Sequence, residues 1–333
     1  MTSRYDDHDP DSYGRPRRRT RPRTKERPSY DGATLARVIA VDRGRFTLLV
    51  PDDDGGEREV TAMQSRALGR KAIVVGDEVR VVGDLSGDEG SLGRVVEVAP
   101  RRTVLRRSAD DDDPVERVIV ANADQLVIVT ALADPPPRPR LIDRCLVAAY
   151  DAGMGALLCL TKADLADPDE LLGAYRPLGV TAVVTSRGGS TQDLRERLAD
   201  RVSVLVGHSG VGKSTLVNAL VPGAARTTSG VNVVTGRGRH TSTSTRVIRL
   251  PFGGWIVDTP GIRSFGLAYV EPDRVLASFG DLATVGADCP RGCTHTAEEP
   301  ECELDVGVAD GRLDAARVTS FRRLLASRDR HED

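Results

Sequence analysis

The strongest chemical signal in the sequence is a glycine-rich loop that joins a predicted strand to a predicted helix. The apolar segment Val202–Val206 leads into the pattern G-x-x-x-x-G-K-[S/T], which comprises Gly207, His208, Ser209, Gly210, Val211, Gly212, Lys213, Ser214 and Thr215. Backbone N–H groups in such a loop turn inward around phosphate oxygens, and the start of the following helix adds partial positive charge. Lys213 is expected to reach the outer phosphates, and Ser214 is expected to ligate Mg²⁺. The sequence therefore predicts a nucleoside triphosphate site.

A second element, at the end of a predicted buried strand, has the character of a base-reading loop. The segment Ala156–Leu160 is followed by the sequence T-K-A-D, at Thr161, Lys162, Ala163 and Asp164. An aspartate carboxylate offers two acceptor oxygens to the neighbouring N1–H and 2-amino donors of guanine, whereas adenine presents no such pair. The aliphatic stem of Lys162 is expected to lie against the base plane. Ser186, at another predicted strand end, is the candidate for a second base contact.

Two segments after the phosphate loop match the remaining parts of a GTP site. Trp255–Gly261 reads as a strand followed by D-x-x-G, in which Asp258 would hold Mg²⁺ through water and the N–H of Gly261 would sense the γ-phosphate. The loop before it is rich in glycine and threonine, and a threonine hydroxyl in such a switch loop ligates Mg²⁺ only when the γ-phosphate is present. The candidates are Thr241 and Thr243. An ordinary flexible loop is the alternative interpretation of this segment.

A group of cysteines near the C-terminus has the composition of a metal site. The pattern C-x₃-C-x-H-x₆-C is formed by Cys289, Cys293, His295 and Cys302. Three thiolates and one imidazole make a closed tetrahedral Zn²⁺ site, which is structural because no position is left for water. We expect one Zn²⁺ per chain, and scattered cysteines are the alternative. Cys145 and Cys159 lie in predicted core elements and are expected to be buried thiols.

The elements that must position these residues divide the chain into four regions, and the predicted fold class is multidomain α/β. Residues 1–30 form an Arg-rich arm whose composition predicts disorder. Residues 31–107 contain short strands separated by turn signals, which favours an OB-type β-barrel, although an SH3-like barrel would give much the same pattern. Residues 108–268 alternate strands and helices, as expected for a mostly parallel sheet with helices on both faces. Residues 269–333 read as a C-terminal α-helical zinc-binding domain.

The overall composition limits the classes of partner. The 333 residues include 47 basic and 49 acidic side chains, and this near balance excludes a uniformly basic nucleic-acid binder. The apolar runs are shorter than the ~18 residues of a membrane helix, so we expect a cytoplasmic protein with no membrane partner. The basic segment of the N-terminal arm is compatible with contact to RNA phosphates and equally with a solubilising role.

The order of the nucleotide motifs is unusual. In ordinary GTPases the phosphate loop comes first and the base-reading motif comes late, whereas here Thr161–Asp164 precedes Gly207–Thr215 and Asp258–Gly261 comes last. The sequence therefore predicts a circularly permuted G domain whose switch segments lead directly into the C-terminal region. With the barrel motif Val75–Val79, the segment Leu141–Arg144 and the cysteine pattern, the chain resembles the ribosome small subunit-dependent GTPase A family from about Ala33 to Ser327.

This resemblance implies a function. The family consists of bacterial circularly permuted GTPases that act in 30S subunit biogenesis, with an OB-fold domain, a permuted G domain and a C-terminal zinc domain. It also implies contact with the 30S subunit and 16S rRNA, GTP hydrolysis to GDP that the 30S particle stimulates, and release that licenses a late assembly step. The cysteine spacing differs from the usual one, with one residue fewer between the first two cysteines and one more before the last. We expect a monomer.

The catalytic residue is expected in the switch loop. Ile262 occupies the position at which some GTPases carry a water-orienting glutamine, and an aliphatic side chain has no atom to orient water. His240 is therefore the candidate for water positioning, and the family pattern G-R-H-T-[T/S]-T, present here as Gly238–Thr243, supports it. A solvated loop histidine is the alternative.

Two other functions remain open. A P-loop kinase of a small metabolite would account for the phosphate loop, but it would leave Thr161–Asp164 and the cysteine pattern without a role. A non-enzymatic RNA-binding module with a degenerate G domain is disfavoured by the intact Lys213, Ser214 and Asp258.

Overall fold

The computed structural model describes residues 30, 32–52, 54–69, 72–107, 117–222, 245–259, 265, 267 and 270–328. The predicted disorder of the N-terminal arm therefore concerns a segment that lies outside the described residues, apart from Tyr30. In the described part of the chain, none of the helices is both long enough and apolar enough to cross a bilayer. The domain boundaries after residues 30, 107 and 268 stay predictions.

The first five strands close into a small barrel. They are β1 (Thr34–Asp42), β2 (Arg45–Pro51), β3 (Glu57–Gln64), β4 (Glu78–Gly83) and β5 (Gly93–Val98). The order around the barrel is β1-β2-β3-β5-β4, with β4 pairing back onto β1 and only β3 and β5 running parallel. Alternate side chains point inward and fill the interior with aliphatic residues, among them Val38, Leu48 and Val81. This order is that of the OB fold, so the predicted OB-type barrel is confirmed.

A short hairpin that the sequence did not indicate joins the barrel to the rest of the molecule. It consists of β6 (Val104–Arg107) and β7 (Arg117–Ala121), and Val120 also bridges to Val75 of the barrel. The contact is very close at Gly76, where an added Cβ would lie 2.0 Å from the Ala121 carbonyl oxygen. Only glycine fits at this position, which explains its place in the barrel motif.

Within the described residues, the central sheet has six strands in the order β10-β9-β8-β11-β13-β12. They are β8 (Gln125–Ala131), β9 (Gly155–Thr161), β10 (Thr181–Val184), β11 (Val202–Val206), β12 (Arg246–Arg249) and β13 (Trp255–Asp258). Every pair is parallel except β12 with β13. All seven residues of β8 are buried, as expected for a strand covered on both faces. The predicted parallel sheet is confirmed.

Helices pack on both faces of this sheet. α1 (Pro139–Asp151) and α2 (Asp169–Tyr175) contribute to one hydrophobic core, whereas α3 (Gln192–Leu198) and α4 (Lys213–Leu220) contribute to the core on the opposite face. This two-sided arrangement agrees with the predicted α/β architecture.

In the part of the chain that the structure describes, four further helices follow the sheet: α5 (Pro272–Leu276), α6 (Gly280–Gly286), α7 (Glu303–Ala309) and α8 (Ala315–Ala326). Phe279, Leu282 and Phe321 from this part of the chain belong to the same hydrophobic core as α1 and one face of the sheet. In α8, Val318, Phe321, Leu324 and Leu325 are buried, whereas Ala316 is exposed.

Candidate nucleotide site and metal cluster

The loop between β11 and α4 has the conformation of a main-chain cradle. Gly207 has φ +150°, and a Cβ at this position would lie 2.2 Å from the carbonyl oxygen of Val129 on the neighbouring strand. Gly210 and Gly212 have φ +84° and +94°, which side chains rarely allow. The glycine positions of the sequence pattern are therefore required by the backbone, and α4 begins at Lys213 directly after the turn.

Lys213 folds back over the loop that carries it. Its Nζ donates hydrogen bonds to the carbonyl oxygens of Gly207 and His208, the latter at 3.0 Å. Burial lowers the pKa of Lys213, and the Asp258 carboxylate acts in the opposite direction. An anionic ligand in the cradle would stabilise the charged form of this ammonium in the same way as Asp258.

The Thr161–Asp164 loop is joined to the phosphate loop by a buried hydrogen bond. Thr161 lies at the end of β9, and its Oγ1 donates to the carbonyl oxygen of Val211 at 2.6 Å. Strand β8 lies between β9 and β11 in the sheet, so this bond crosses β8 and joins the end of β9 to the loop after β11 at the carboxyl edge of the sheet. Ligands of open parallel sheets bind at that edge.

Asp164 lies beside the loop that follows β10. Its Oδ1 accepts a hydrogen bond from the Arg187 backbone N–H at 3.3 Å, and the N–H of Ala163 donates to the Thr185 carbonyl at 3.2 Å. The structure therefore brings Asp164 and the segment around Ser186 together, as the strand ends suggested.

Strand β13 places Asp258 next to β11, the strand that leads into the phosphate loop, because Asp258 pairs with Leu205 in the sheet register. The hydroxyl of Thr259 donates to the Leu205 carbonyl oxygen at 3.2 Å and fixes the end of the strand. Four of the predicted site residues lie outside the described residues: His240, Thr241, Thr243 and Gly261.

The proline-rich loop after β8 makes contacts that no pattern in the sequence indicated. Lys162 Nζ donates to the carbonyl oxygen of Asp134, and Pro135 lies 3.5 Å from the position of an added Cβ at Gly210. This loop therefore contacts both predicted motifs. The three consecutive prolines indicated only a turn, and their pattern does not predict which other loops they contact.

His208, inside the phosphate loop, was predicted only as a backbone donor. Burial lowers the pKa of its imidazole, and the cations Arg138, Lys213 and Lys162 act in the same direction. The imidazole is therefore influenced by Lys213 of the same motif and by two cations from other segments, Arg138 and Lys162.

The four predicted metal ligands come together, and we call Cys289, Cys293, His295 and Cys302 the metal cluster. Their ligand atoms all lie within 4.8 Å of one another. The Nδ1 of His295 is 3.6, 3.5 and 3.9 Å from the three sulfurs in sequence order. Backbone N–H groups of Glu303 and His295 donate to two of these sulfurs. The altered spacing therefore does not prevent the four ligands from converging, and the group can hold a metal ion.

The other two cysteines are core thiols, as predicted. Cys145 on α1 and Cys159 on β9 are buried, and burial raises the pKa of each thiol to about 12. A thiol with this pKa stays protonated at neutral pH, which agrees with a packing role.

The parallel sheet, the cradle after β11 and the adjoining Thr161–Asp164 loop define a P-loop nucleotide-binding protein in which this second loop comes before the cradle in the chain. A family model described as RsgA GTPase matches residues 98–268. Together with relatives that span most of the chain, this match shows that the chain belongs to the RsgA GTPase family.

Two of these relatives are proteins named small ribosomal subunit biogenesis GTPase RsgA. The one from Chlorobaculum parvum is 37% identical over 309 residues, which cover 89% of this chain and 99% of the relative. The one from Pseudomonas aeruginosa is 42% identical over 265 residues, with 77% and 76% coverage.

Two solved structures have the same fold. The structure of YjeQ from Thermotoga maritima gives a TM-score of 0.64 at 25% identity and covers 88% of this chain and 97% of its own. The structure of YloQ, described as a circularly permuted GTPase, also gives 0.64 at 25% identity, with 90% and 96% coverage. The predicted permutation of the G domain agrees with this likeness.

Proposed function

We propose that this protein hydrolyses GTP to GDP and phosphate and acts in the biogenesis of the small ribosomal subunit. The observation that carries the proposal is the buried bond between Thr161 and Val211, which holds an aspartate-bearing loop against a phosphate cradle. Membership of the RsgA GTPase family supports both the reaction and the ribosomal role, since the relatives are named for that role.

In this proposal the guanine base lies between Asp164 and Lys162. The Asp164 carboxylate accepts the N1–H and 2-amino donors of the base, and the Lys162 stem covers one face of the ring. The segment at Ser186 contacts the base from the second loop, and the backbone of Ala163 keeps that loop in place through its bond to Thr185.

The phosphates lie in the cradle. Its N–H groups and the Lys213 ammonium bind the phosphate oxygens, so the lysine exchanges its carbonyl partners for a ligand of opposite charge. Mg²⁺ bound with GTP would neutralise charge on the phosphates, and Ser214 and Asp258 are the described residues that would hold it. Thr241 or Thr243 adds a switch ligand, Gly261 senses the γ-phosphate, and His240 orients the attacking water.

The metal cluster is proposed to bind one structural Zn²⁺. Zn–S bonds of about 2.3 Å and Zn–N bonds of about 2.0–2.1 Å give tetrahedral edges of roughly 3.6 Å between nitrogen and sulfur. The distances from His295 Nδ1 to the three sulfurs, 3.5 to 3.9 Å, match this edge. The donor set of three thiolates and one imidazole suits Zn²⁺ and leaves no open position.

The proposed partners are the 30S subunit, through its 16S rRNA, and GTP or GDP. We propose a monomer that acts in the cytoplasm, where ribosomal subunits are assembled, and 30S particles that stimulate its GTP turnover.

The test is GTP turnover by the purified protein with and without 30S subunits. We expect turnover to rise on addition of 30S, and equal rates would remove the ribosomal assignment while leaving a GTPase. Displacement of a fluorescent guanine nucleotide by GTP and GDP but not by ATP would separate this function from a small-metabolite kinase. Absence of any hydrolysis would favour the non-enzymatic alternative.

Two substitutions test the assigned roles. Asp164→Asn replaces two acceptors with one acceptor and one donor, which fits xanthine better than guanine. We expect this variant to lose GTP turnover and to gain turnover of xanthosine triphosphate. His240→Ala is expected to abolish 30S-stimulated turnover without weakening GDP binding, and unchanged stimulated turnover would remove the catalytic assignment.

A further inference from the structure

An exposed carboxylate contacts the buried histidine of the metal cluster. The side chain of His295 is 2% exposed, whereas that of Asp273 is 82% exposed. The two side chains nevertheless meet, with Asp273 Oδ1 2.9 Å from His295 Nε2. Asp273 lies in the first turn of α5 and is separated from His295 by 22 residues of sequence.

The two ring nitrogens of His295 face different groups. Nδ1 points toward the three sulfurs of the metal cluster, while Nε2 points toward Asp273. A neutral imidazole carries a proton on only one nitrogen. A carboxylate acceptor at Nε2 keeps the proton there, and the lone pair of Nδ1 then faces the sulfurs.

From this geometry we propose that Asp273 is a positioning residue for the metal cluster: it fixes the tautomer and ring orientation of His295 so that Nδ1 binds the metal. The inference rests on the proposed Zn²⁺ and adds a residue from outside the cysteine pattern. Carboxylate–histidine–zinc arrangements raise the basicity of the ligating nitrogen, and loss of the outer partner typically weakens metal binding about tenfold to hundredfold.

The helix that carries Asp273 is itself anchored. The next residue, Arg274, donates to the Asp151 backbone carbonyl at 2.8 Å and contacts the Asp151 carboxylate at 3.1 Å. Asp151 is the last residue of α1, which packs against the central sheet. The carboxylate of Asp273 is therefore presented to the metal cluster from an element whose position the sheet core determines.

A second contact holds the main chain of the same histidine. Arg322 on α8 donates from Nε to the His295 carbonyl oxygen at 3.0 Å, and its Nη atoms bind the Asp305 carboxylate at 2.7 and 2.8 Å. Arg322 therefore fixes the backbone of His295 while Asp273 fixes its ring.

The experiment compares Zn²⁺ affinity in the full-length protein and three variants, with a chromophoric chelator as competitor. Asp273→Ala removes the acceptor, and we expect affinity to fall about tenfold to hundredfold. Asp273→Asn keeps an amide oxygen that accepts the Nε2 proton, so we expect an intermediate affinity. The control is Glu271→Ala, which removes an exposed carboxylate that makes no capping bond to α5 and is expected to leave affinity unchanged.

A second readout separates positioning from simple support of the fold. Long-range ¹H–¹⁵N spectra report which ring nitrogen of His295 carries the proton. We expect a single species with protonated Nε2 in the Zn²⁺-loaded parent and in Asp273→Asn, and faster exchange of that proton in Asp273→Ala.

The outcomes are distinguishable. If the parent protein does not bind Zn²⁺ more tightly than a variant lacking Cys302, the proposed metal and the inference both fail. If the parent binds Zn²⁺ and Asp273→Ala binds it equally well, only the inference is overturned. If Asp273→Ala is less stable both with and without Zn²⁺ but binds Zn²⁺ with unchanged affinity, the contact is only a surface ion pair and the inference is overturned.

Discussion

The phosphate cradle and the metal cluster are both candidate sites for a charged ligand, but they are built from different atoms. The cradle at Gly207–Thr215 presents backbone N–H groups, and its shape depends on glycines at positions where a Cβ would collide or would require an unfavourable φ. The metal cluster presents four side-chain atoms, and the backbone N–H groups of His295 and Glu303 donate hydrogen bonds to two of its sulfurs. The residue types in the cradle therefore matter because glycine has no side chain, whereas those in the metal cluster matter because their side chains supply the ligand atoms.

The two regions also differ in what supports them. The cradle lies at the edge of the sheet and contacts the two strands on one side of β11, through the Val129 carbonyl of β8 and the Thr161 hydroxyl of β9. The metal cluster is held by short helices that share a hydrophobic core with one face of the same sheet. We therefore expect substitutions in the metal cluster to lower mainly the free energy of unfolding, and substitutions in the cradle to lower mainly the affinity for nucleotide.

The largest expected effect is on stability, from Cys302→Ser. This change removes one of the four ligands of the proposed Zn²⁺ site, so we expect tight binding of Zn²⁺ to be lost. At a metal concentration about a thousandfold above Kd, the stabilisation that is lost is about 4 kcal/mol. Urea unfolding of the Zn²⁺-loaded protein measures it. Cys145→Ala is the matched control, because Cys145 is a buried cysteine outside the cluster, and we expect about 1 kcal/mol. Loss of GDP binding in Cys302→Ser would show that the two regions are not independent.

The next effect is on affinity, from Lys213→Ala. A charge-assisted contact to phosphate disappears, and we expect GTP binding to weaken at least about a hundredfold, which corresponds to roughly 2.7 kcal/mol. Titration calorimetry measures the affinity, and the zinc content should not change. Lys213→Arg keeps the charge but not the compact ammonium, so most of the affinity should still be lost. Recovery of full affinity with arginine would mean that charge alone suffices.

Arg323→Ala tests a contact between α1, which packs on the central sheet, and α8, which belongs to the helices that follow the sheet. Arg323 on α8 binds the buried Asp143 carboxylate on α1 at 3.1 and 3.3 Å. Removal of the cation leaves a buried charge, and we expect a loss of about 2 kcal/mol, less than for a fully buried pair because the arginine side chain is 39% exposed. Urea unfolding at pH 7.5 measures the loss. Arg312→Ala, which breaks the exposed pair with Asp310, should cost less than about 0.5 kcal/mol.

The loss of stability in Arg323→Ala should depend on pH. Burial raises the pKa of Asp143, and Arg323 opposes that shift, so the variant raises the pKa further. A carboxyl whose pKa is higher in the folded state than in the unfolded state favours folding when protonated, and this contribution disappears as pH rises through the folded pKa. The loss of stability in the variant should therefore become smaller as the pH is lowered toward the ordinary pKa range of aspartate. A deficit that is constant with pH would show that Asp143 does not carry the effect.

Much of this architecture could be predicted from the sequence because the signals were local. The apolar run at Gln125–Ala131 and the glycine pattern of the cradle each follow from neighbouring residues. The hairpin strands β6 and β7 and the edge strand β12 were not predicted, since they are four or five residues long and contain arginines in place of a regular apolar alternation.

The contacts between distant segments could not be predicted. Asp273 lies 22 residues from the histidine it contacts, and the carbonyl oxygen of Asp134 lies 28 residues from the ammonium of Lys162. Neither pair has a sequence pattern, because one partner is an exposed carboxylate of common type and the other a backbone carbonyl. Such contacts follow from the packing of whole elements, which single-residue patterns do not encode.

The smallest expected effect, and the sharpest test of the cradle's support, comes from Thr161→Val. This change keeps the side-chain volume and removes the hydroxyl that donates to Val211 at 2.6 Å, so a buried carbonyl loses its partner. We expect about 1.5 kcal/mol lower stability in urea unfolding. We also expect about fivefold weaker GDP binding by fluorescence titration, equivalent to roughly 1 kcal/mol, because the cradle loses its link to the Thr161–Asp164 loop.

Thr103→Val separates these two effects. Its hydroxyl makes an equivalent buried bond, to the Ala123 carbonyl at 2.7 Å, at the junction of the hairpin and the sheet. Because Thr103 and Thr161 are 8% and 7% exposed, the two variants should lose similar stability. Only Thr161→Val should lose nucleotide affinity, because only its bond ends on the cradle. Equal affinities in the two variants would show that the cradle keeps its shape through its glycines and strands alone, without the Thr161 bond.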